Sequence, residues 1–246
     1  MTLIAIVLIS FIATLVRSTF GFGESLIAVP LFVLFIPLDT AVPLSVLMSV
    51  LVALIVVIQD HRQIHLQSAK WLILYAFLGI PIGLGILIYG NEHWVKIILG
   101  MLIIAYSTYQ ILAKDSLHLK HDSRFWLFIC GFLSGVLGGA YGINGPPLVV
   151  YGNMRRWSPQ HFRATLQAYF LPASLVGIIG YTAKGLLDKP VMEYFLVCLP
   201  AMLPAIFLGR YLNHRLKGDS FFNYAYWGLI LIGALLIIFT VFPRYH

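Results

Sequence analysis

Arg17 and Glu24 are the only formal charges between residues 3 and 36, a run otherwise made of apolar and small residues. An ionisable group in such surroundings costs about 2.5 to 3.5 kcal/mol on insertion scales, so it faces a watery cavity or an opposite charge. Two chemistries follow. Either Arg17 offers a guanidinium fork to a tetrahedral or pyramidal oxyanion, with Glu24 as its counter-ion or as a proton carrier, or the two form an ion pair that holds the chain locally. Glu24 opens a helix in this reading, and a helix N-terminus favours the carboxylate, which weighs against the proton carrier.

Both residues flank a break. Phe20-Gly21-Phe22-Gly23-Glu24 interrupts the apolar run 3–36, and Gly138-Gly139-Ala140-Tyr141-Gly142-Ile143-Asn144-Gly145-Pro146-Pro147 interrupts a second run, 125–152. This density of glycine and proline predicts that no continuous helix passes either break and that each arm is too short to span a bilayer comfortably. Where a helix restarts, at Gly23-Glu24-Ser25 and at Asn144-Gly145-Pro146, unpaired N–H groups and the positive helix end point into the gap, and glycine admits an anion close to the backbone. The residues expected to bind an anion are therefore Arg17, Ser18, Gly21, Gly23, Glu24, Ser25, Tyr141, Gly142, Asn144, Gly145 and, in a later segment, Gln167. The competing reading is that glycines and prolines merely let two hairpin tips pack, and that Gln167, Ser45 and Ser49 hydrogen-bond neighbouring helices. Arg163, Thr165 and Tyr169 follow the basic loop 154–161, where Ser158-Pro159 predicts a helix start. Arg163 there marks the membrane interface.

The elements that must position these groups are membrane helices. Of 246 residues 60% are hydrophobic and 10% charged, with a mean hydropathy of +0.92; an ordinary soluble domain carries about 25% charged residues. Apolar runs of about 20 residues recur along the chain, which predicts an all-α, polytopic membrane protein and excludes most soluble enzyme classes. A β-barrel would need alternating strands instead. Single spans are expected near residues 39–58, 69–89, 94–113, 163–183, 190–211 and 221–242. The net charge of +7 comes from Lys and Arg in short loops, where they set topology, so no nucleic-acid partner is expected. Cys130 and Cys198 lie in apolar runs and read as packing residues. His61 and His65 have ligand spacing but no carboxylate partner, so no metal is expected. P-loop, GxSxG and HExxH motifs are missing, the apolar spans offer no nucleophile and base, and neither enzyme activity nor a cofactor is implied. Residues 1–16 lack a basic n-region and a cleavage site, and read as mature structure.

A shift of about 121 residues places Gly21 on Gly142, Phe20 on Tyr141 and Phe11 on Phe132. The expected plan is a first repeat at 1–113 (hairpin 3–36 and three spans), a linker at 114–124, and a second repeat at 125–246 (hairpin 125–152 and three spans). If each broken segment crosses once, the sides carry eight and seven Lys or Arg. If each enters and returns, loops 59–70, 114–124, 152–163 and 210–219 share a side with eleven, against Lys96, Lys184, Lys189 and Arg244 on the other. The positive-inside rule selects the second arrangement. It makes the halves inverted repeats, puts both termini outside, and places a candidate site where the breaks meet near the midplane. Pairs of short crossings would give the same topology.

The segments Gly21-Phe22-Gly23-Glu24-Ser25-Leu26-Ile27-Ala28-Val29-Pro30-Leu31 and Gly138 to Leu148, with Arg163-Ala164-Thr165-Leu166-Gln167 downstream, resemble those of the TauE/SafE permease family over almost the whole chain. The resemblance implies a multi-pass permease of the inner (plasma) membrane that exports sulfite or moves sulfonates and related sulfur compounds. Glu24 and Asn144 depart from the family's plainer glycine runs, where the substrate should bind. The expected function is a secondary transporter of a small anion working by alternating access; a passive anion channel or a permease for a non-sulfur carboxylate are the alternatives. Its expected partners are the small anionic substrate and the lipid bilayer. A homodimer is open to it, and nothing in the sequence fixes the oligomeric state.

Overall fold

The computed structural model describes residues 2–61, 64–112, 119–157, 159–215 and 220–241, whose regular structure is helical throughout. Expectations that concern Arg62, Lys114, His118, Ser158, Lys217 and Arg244 lie outside the described residues. The helices are α1 (Thr2–Phe20), α2 (Glu24–Phe32), α3 (Leu38–Asp60), α4 (Leu66–Tyr89), α5 (Glu92–Leu112), α6 (Arg124–Tyr141), α7 (Gly145–Met154), α8 (Pro159–Ala183), α9 (Lys189–Arg215) and α10 (Ser220–Val241). Six of them, α1, α3, α4, α6, α8 and α9, are long and apolar enough to cross a membrane among the described residues. The chain is thus a multi-pass helical membrane protein. The expected spans 94–113 and 221–242 form α5 and α10, which pack on one another and are not among those six.

The breaks are real but shorter than expected, and one arm of each is long. α1 has 19 residues and α6 has 18, close to the hydrocarbon thickness at about 1.5 Å per residue. The expectation that every arm is too short therefore fails for α1 and α6 and holds for α2 and α7, with 9 and 10 residues. α6 continues through Gly138 and Gly139 to Tyr141, leaving a break at Gly142, Ile143 and Asn144. Gly142 turns the chain at φ +67°; its N–H donates to the Gly138 carbonyl at 2.9 Å, and the Ile143 N–H donates to the Leu137 carbonyl at 3.2 Å. Prolines 146 and 147 then fall in the first turn of α7, where a missing N–H costs nothing.

Packing explains why α6 tolerates so many glycines. Gly131, Gly135 and Gly139 recur every fourth residue and meet α4, where Gly79 and Gly83 do likewise. A Cβ on Gly135 would collide with the Ala76 backbone, one on Gly79 with the Phe132 carbonyl, and one on Gly83 with the Val136 carbonyl. Small residues at this spacing bring two backbones into contact, the usual seam where lipid removes the hydrophobic drive between helices. α1 packs similarly on α9, where Gly209 meets Leu15 and Ser18, while α3 packs on α8.

Four loop regions converge on one face. Asp60, at the end of α3, pairs with Arg163 of α8 at 3.8 Å and Arg210 of α9 at 3.6 Å. The His65 N–H donates to Thr165 Oγ1 at 3.0 Å. Asp122, just before α6, accepts from Ser68 at 2.7 Å and from Tyr151 of α7 at 2.8 Å, and pairs with Arg155 at 2.9 Å. The two ends of the α6–α7 segment therefore meet, and Leu119 N–H donates to the Met154 carbonyl at 2.8 Å. At the far ends of α4 and α8, Lys184 reaches the Tyr89 hydroxyl at 3.4 Å.

Candidate functional site

Arg17 sits one turn before the end of α1 and is 3% exposed; Glu24 opens α2 and is 1% exposed. The turn at Gly21 (φ +84°) and Gly23 (φ +96°) reverses the chain and sets the two side chains together. Arg17 Nη1 lies 2.6 Å from Glu24 Oε2 and also donates to Ser49 Oγ of α3 at 2.5 Å. Its Nη2 donates to Gln167 Oε1 of α8 at 2.9 Å, and Gln167 Nε2 donates to the Gly21 carbonyl at 2.7 Å. The Phe170 ring lies 4.7 Å from the guanidinium carbon. Arg17 thus ties α1 to α2, α3 and α8 and, through Gln167, to the first break, while its Nε and Glu24 Oε1 are buried with no hydrogen-bond partner.

The two breaks meet at this pair. A cavity with about 280 Å³ of empty space is lined by Arg17, Phe22, Gly23, Glu24, Ser25, Leu26 and Ser49 on one side and by Gly142, Ile143, Asn144, Gly145 and Phe170 on the other. Ser45 donates to Ser25 at 3.0 Å, and Ser49 lies 3.3 Å from Ser174, so the middle of α3 supplies hydroxyls beside the cavity. The first intrahelical bond of α2 runs from the Ile27 N–H to the Gly23 carbonyl, which leaves the N–H groups of Glu24, Ser25 and Leu26 without helical partners. α7 supplies fewer donors than expected, because Pro146 and Pro147 follow Gly145 and carry no N–H.

Seven of the expected residues, Arg17, Gly23, Glu24, Ser25, Gly142, Asn144 and Gly145, line the cavity, and Gln167 joins them through Arg17. Gly21 contributes its carbonyl and lets α8 approach, since a Cβ there would lie 3.0 Å from the Arg163 side chain. Ser18 and Tyr141 stand apart. Ser18 is buried against Gly209 of α9, because it is one residue, about 100° of helix, away from Arg17. Tyr141 lines a neighbouring apolar chamber. Phe170 and Ser174, absent from the expected set, follow Gln167 by three and seven residues and so share its helical face, which is the signal that would have found them. Tyr169 donates to Ser134 at 2.8 Å, Ser134 donates to the Asn144 carbonyl at 2.6 Å, and Tyr181 donates to the Gly139 carbonyl at 2.9 Å. These bonds satisfy backbone that the second break would otherwise leave bare.

Comparison with known proteins gives two matches. The family model described as sulfite exporter TauE/SafE matches residues 6–236. A protein of Cupriavidus necator, described as a probable sulfite/organosulfonate exporter TauE, is 26% identical over 143 residues, which are 58% of this chain and 56% of that protein. The alignment thus spans little more than half of the relative's length. No solved structure matches.

Proposed function

The chain belongs to the TauE/SafE family, and from that premise we propose that it is a secondary transporter that exports a small sulfur-containing anion, sulfite or a sulfonate, across the inner membrane. The observation that carries this reading is the cavity between the two breaks, walled by a buried guanidinium and the open N-terminus of α2. A guanidinium and unpaired backbone N–H groups suit an oxyanion of three oxygens. In the resting arrangement the carboxylate of Glu24 holds Arg17. An anion must take that place, and a proton on Glu24 lets it do so by cancelling the displaced charge. Anion and proton then travel in the same direction, a monoanionic sulfonate crosses with no net charge, and export is driven by the anion's own outward gradient.

Alternating access around this cavity needs two halves that rock against each other, and we read them as inverted repeats with both termini outside. Support comes from the helix pairing, since α1 packs on α9 as α6 packs on α4, and from the convergence of the basic loops on one face. The direct test is flux from proteoliposomes loaded with methanesulfonate or sulfite. Acidifying the lumen is expected to speed saturable efflux of methanesulfonate, a membrane potential alone to leave it unchanged, and Arg17→Gln to abolish it. Flux that neither saturates nor responds to the proton gradient would establish a passive pore instead.

A further inference from the structure

Building on the anion reading of the cavity, we propose that the preferred substrate is a sulfonate carrying an unbranched alkyl chain, whose tail occupies an apolar chamber beside the polar cavity. The chamber has about 480 Å³ of empty space, more than the polar cavity itself. Its walls come from α2, α5, α6, the second break and the start of α7, with Leu99, Ile103, Leu137 and Pro146 among them. Leu26 and Ile143 line both spaces, so one side chain from α2 and one from the second break stand between a site for charge and a site for hydrocarbon.

The chamber's lining is largely aliphatic and open on the side of Leu102 and Ala105, and an apolar space of this kind excludes water and accepts apolar ligands. Two phenols, Tyr106 and Tyr141, break the apolar lining. Tyr141 is 3% exposed and lines the chamber. The position of the chamber selects the occupant. A lipid acyl chain entering from the bilayer would fill the apolar space and leave the adjoining anion site unused, whereas an alkylsulfonate places its head against Arg17 and the start of α2 and its chain past Leu26 and Ile143.

The test is a binding series of methane-, propane- and pentanesulfonate on the full-length protein in nanodiscs, measured calorimetrically and corrected for partition into empty nanodiscs. Each methylene is expected to tighten Kd about fourfold until the chamber is full. Ala105→Phe, which pushes a ring into the chamber, is expected to flatten the series, and Leu137→Trp from another wall gives the same readout should the first variant fail to fold. Binding of methanesulfonate with no gain from chain length, or a gain that survives the filled chamber, overturns the tail site and leaves the anion reading standing. A tightly held phospholipid that pentanesulfonate does not displace overturns it equally. Failure to bind any sulfonate or sulfite removes both readings together.

Discussion

Replacing Glu24 by Gln keeps the side chain's size and one acceptor oxygen but removes the charge that neutralises Arg17. Both groups are buried, with Nη1 2.6 Å from Oε2. Taking one partner from such a pair costs about 3–5 kcal/mol, because the remaining ion stays desolvated. The amide still accepts from Arg17, which places the expected loss near the lower end, about 3 kcal/mol. If an anion competes with Glu24 for the guanidinium, the variant has lost the competitor. A charge-assisted hydrogen bond contributes about 1.5–3 kcal/mol, so methanesulfonate should bind roughly tenfold to a hundredfold more tightly. Thermal unfolding of purified protein reads both effects: a lower midpoint without ligand, and a larger upward shift on adding it, following the ratio of concentration to Kd. The pH dependence carries the sign of the mechanism. In the wild type the carboxylate must gain a proton before it releases Arg17, so affinity for methanesulfonate, whose charge is constant, rises as pH falls through the titration of Glu24. It then levels off, while in the variant it is flat. Should Glu24→Gln bind methanesulfonate no more tightly than wild type, with wild-type affinity independent of pH, the pair is a structural clasp and the competition scheme is wrong.

The other perturbations concern the scaffold and the topology. Gly135→Val is expected to abolish recovery of folded protein in size-exclusion chromatography, because its Cβ would collide with the Ala76 backbone across the α4–α6 seam, whereas Gly85→Ala, with no atom within 4 Å of its Cβ, should gain about 0.5–1 kcal/mol; wild-type behaviour of Gly135→Val would refute the seam. Single cysteines at the exposed positions His121 and Arg156 should both react with an impermeant maleimide from the cytoplasmic side alone, the native Cys130 and Cys198 being buried; labelling from opposite sides would refute the hairpin topology.

How much of this was legible in the sequence depends on the range of the interaction. The helices α3, α4, α8 and α9 follow from the length of their apolar runs, which is a local property. The Arg17–Glu24 pair was legible because charge is scarce, and two charges seven residues apart around glycines have few other places to go. The extent of α6 was not. Gly138 and Gly139 are poor helix formers in isolation, and Gly139 is held against α4, more than 50 residues earlier in the chain, while Gly138 sits against the Asn144 side chain. The fourth-residue spacing of Gly79 and Gly83 opposite Gly131, Gly135 and Gly139 was nevertheless a readable sign of a helix seam. Gln167 stood out by residue type, but its bond to Arg17 spans 150 positions and no spacing rule reaches that far. Ser18 was drawn into the expected site by its proximity in sequence to Arg17, and the helical rotation of one residue takes it to α9.

The offset that lays Gly21 on Gly142 also lays Arg17 on Gly138 and Glu24 on Gly145, so the charged pair exists in one half only. Opposite it the backbone is almost bare: Asn144 lies over Gly138, where a Cβ would collide with its side chain, and the first turn of α7 has surrendered two donors to proline. A site with equal donors from both halves would bind the anion across the very boundary that must move, and each transport step would have to break half of its contacts. The charged groups and the open helix end all lie on α1 and α2, and Gln167 of the second half is tied to them through Arg17 and the Gly21 carbonyl; on the proposed mechanism the anion stays with the first half once those two bonds are released. On the proposed mechanism the departures Glu24 and Asn144 make the binding plan one-sided, so that a substrate would be held by one half and carried past the other.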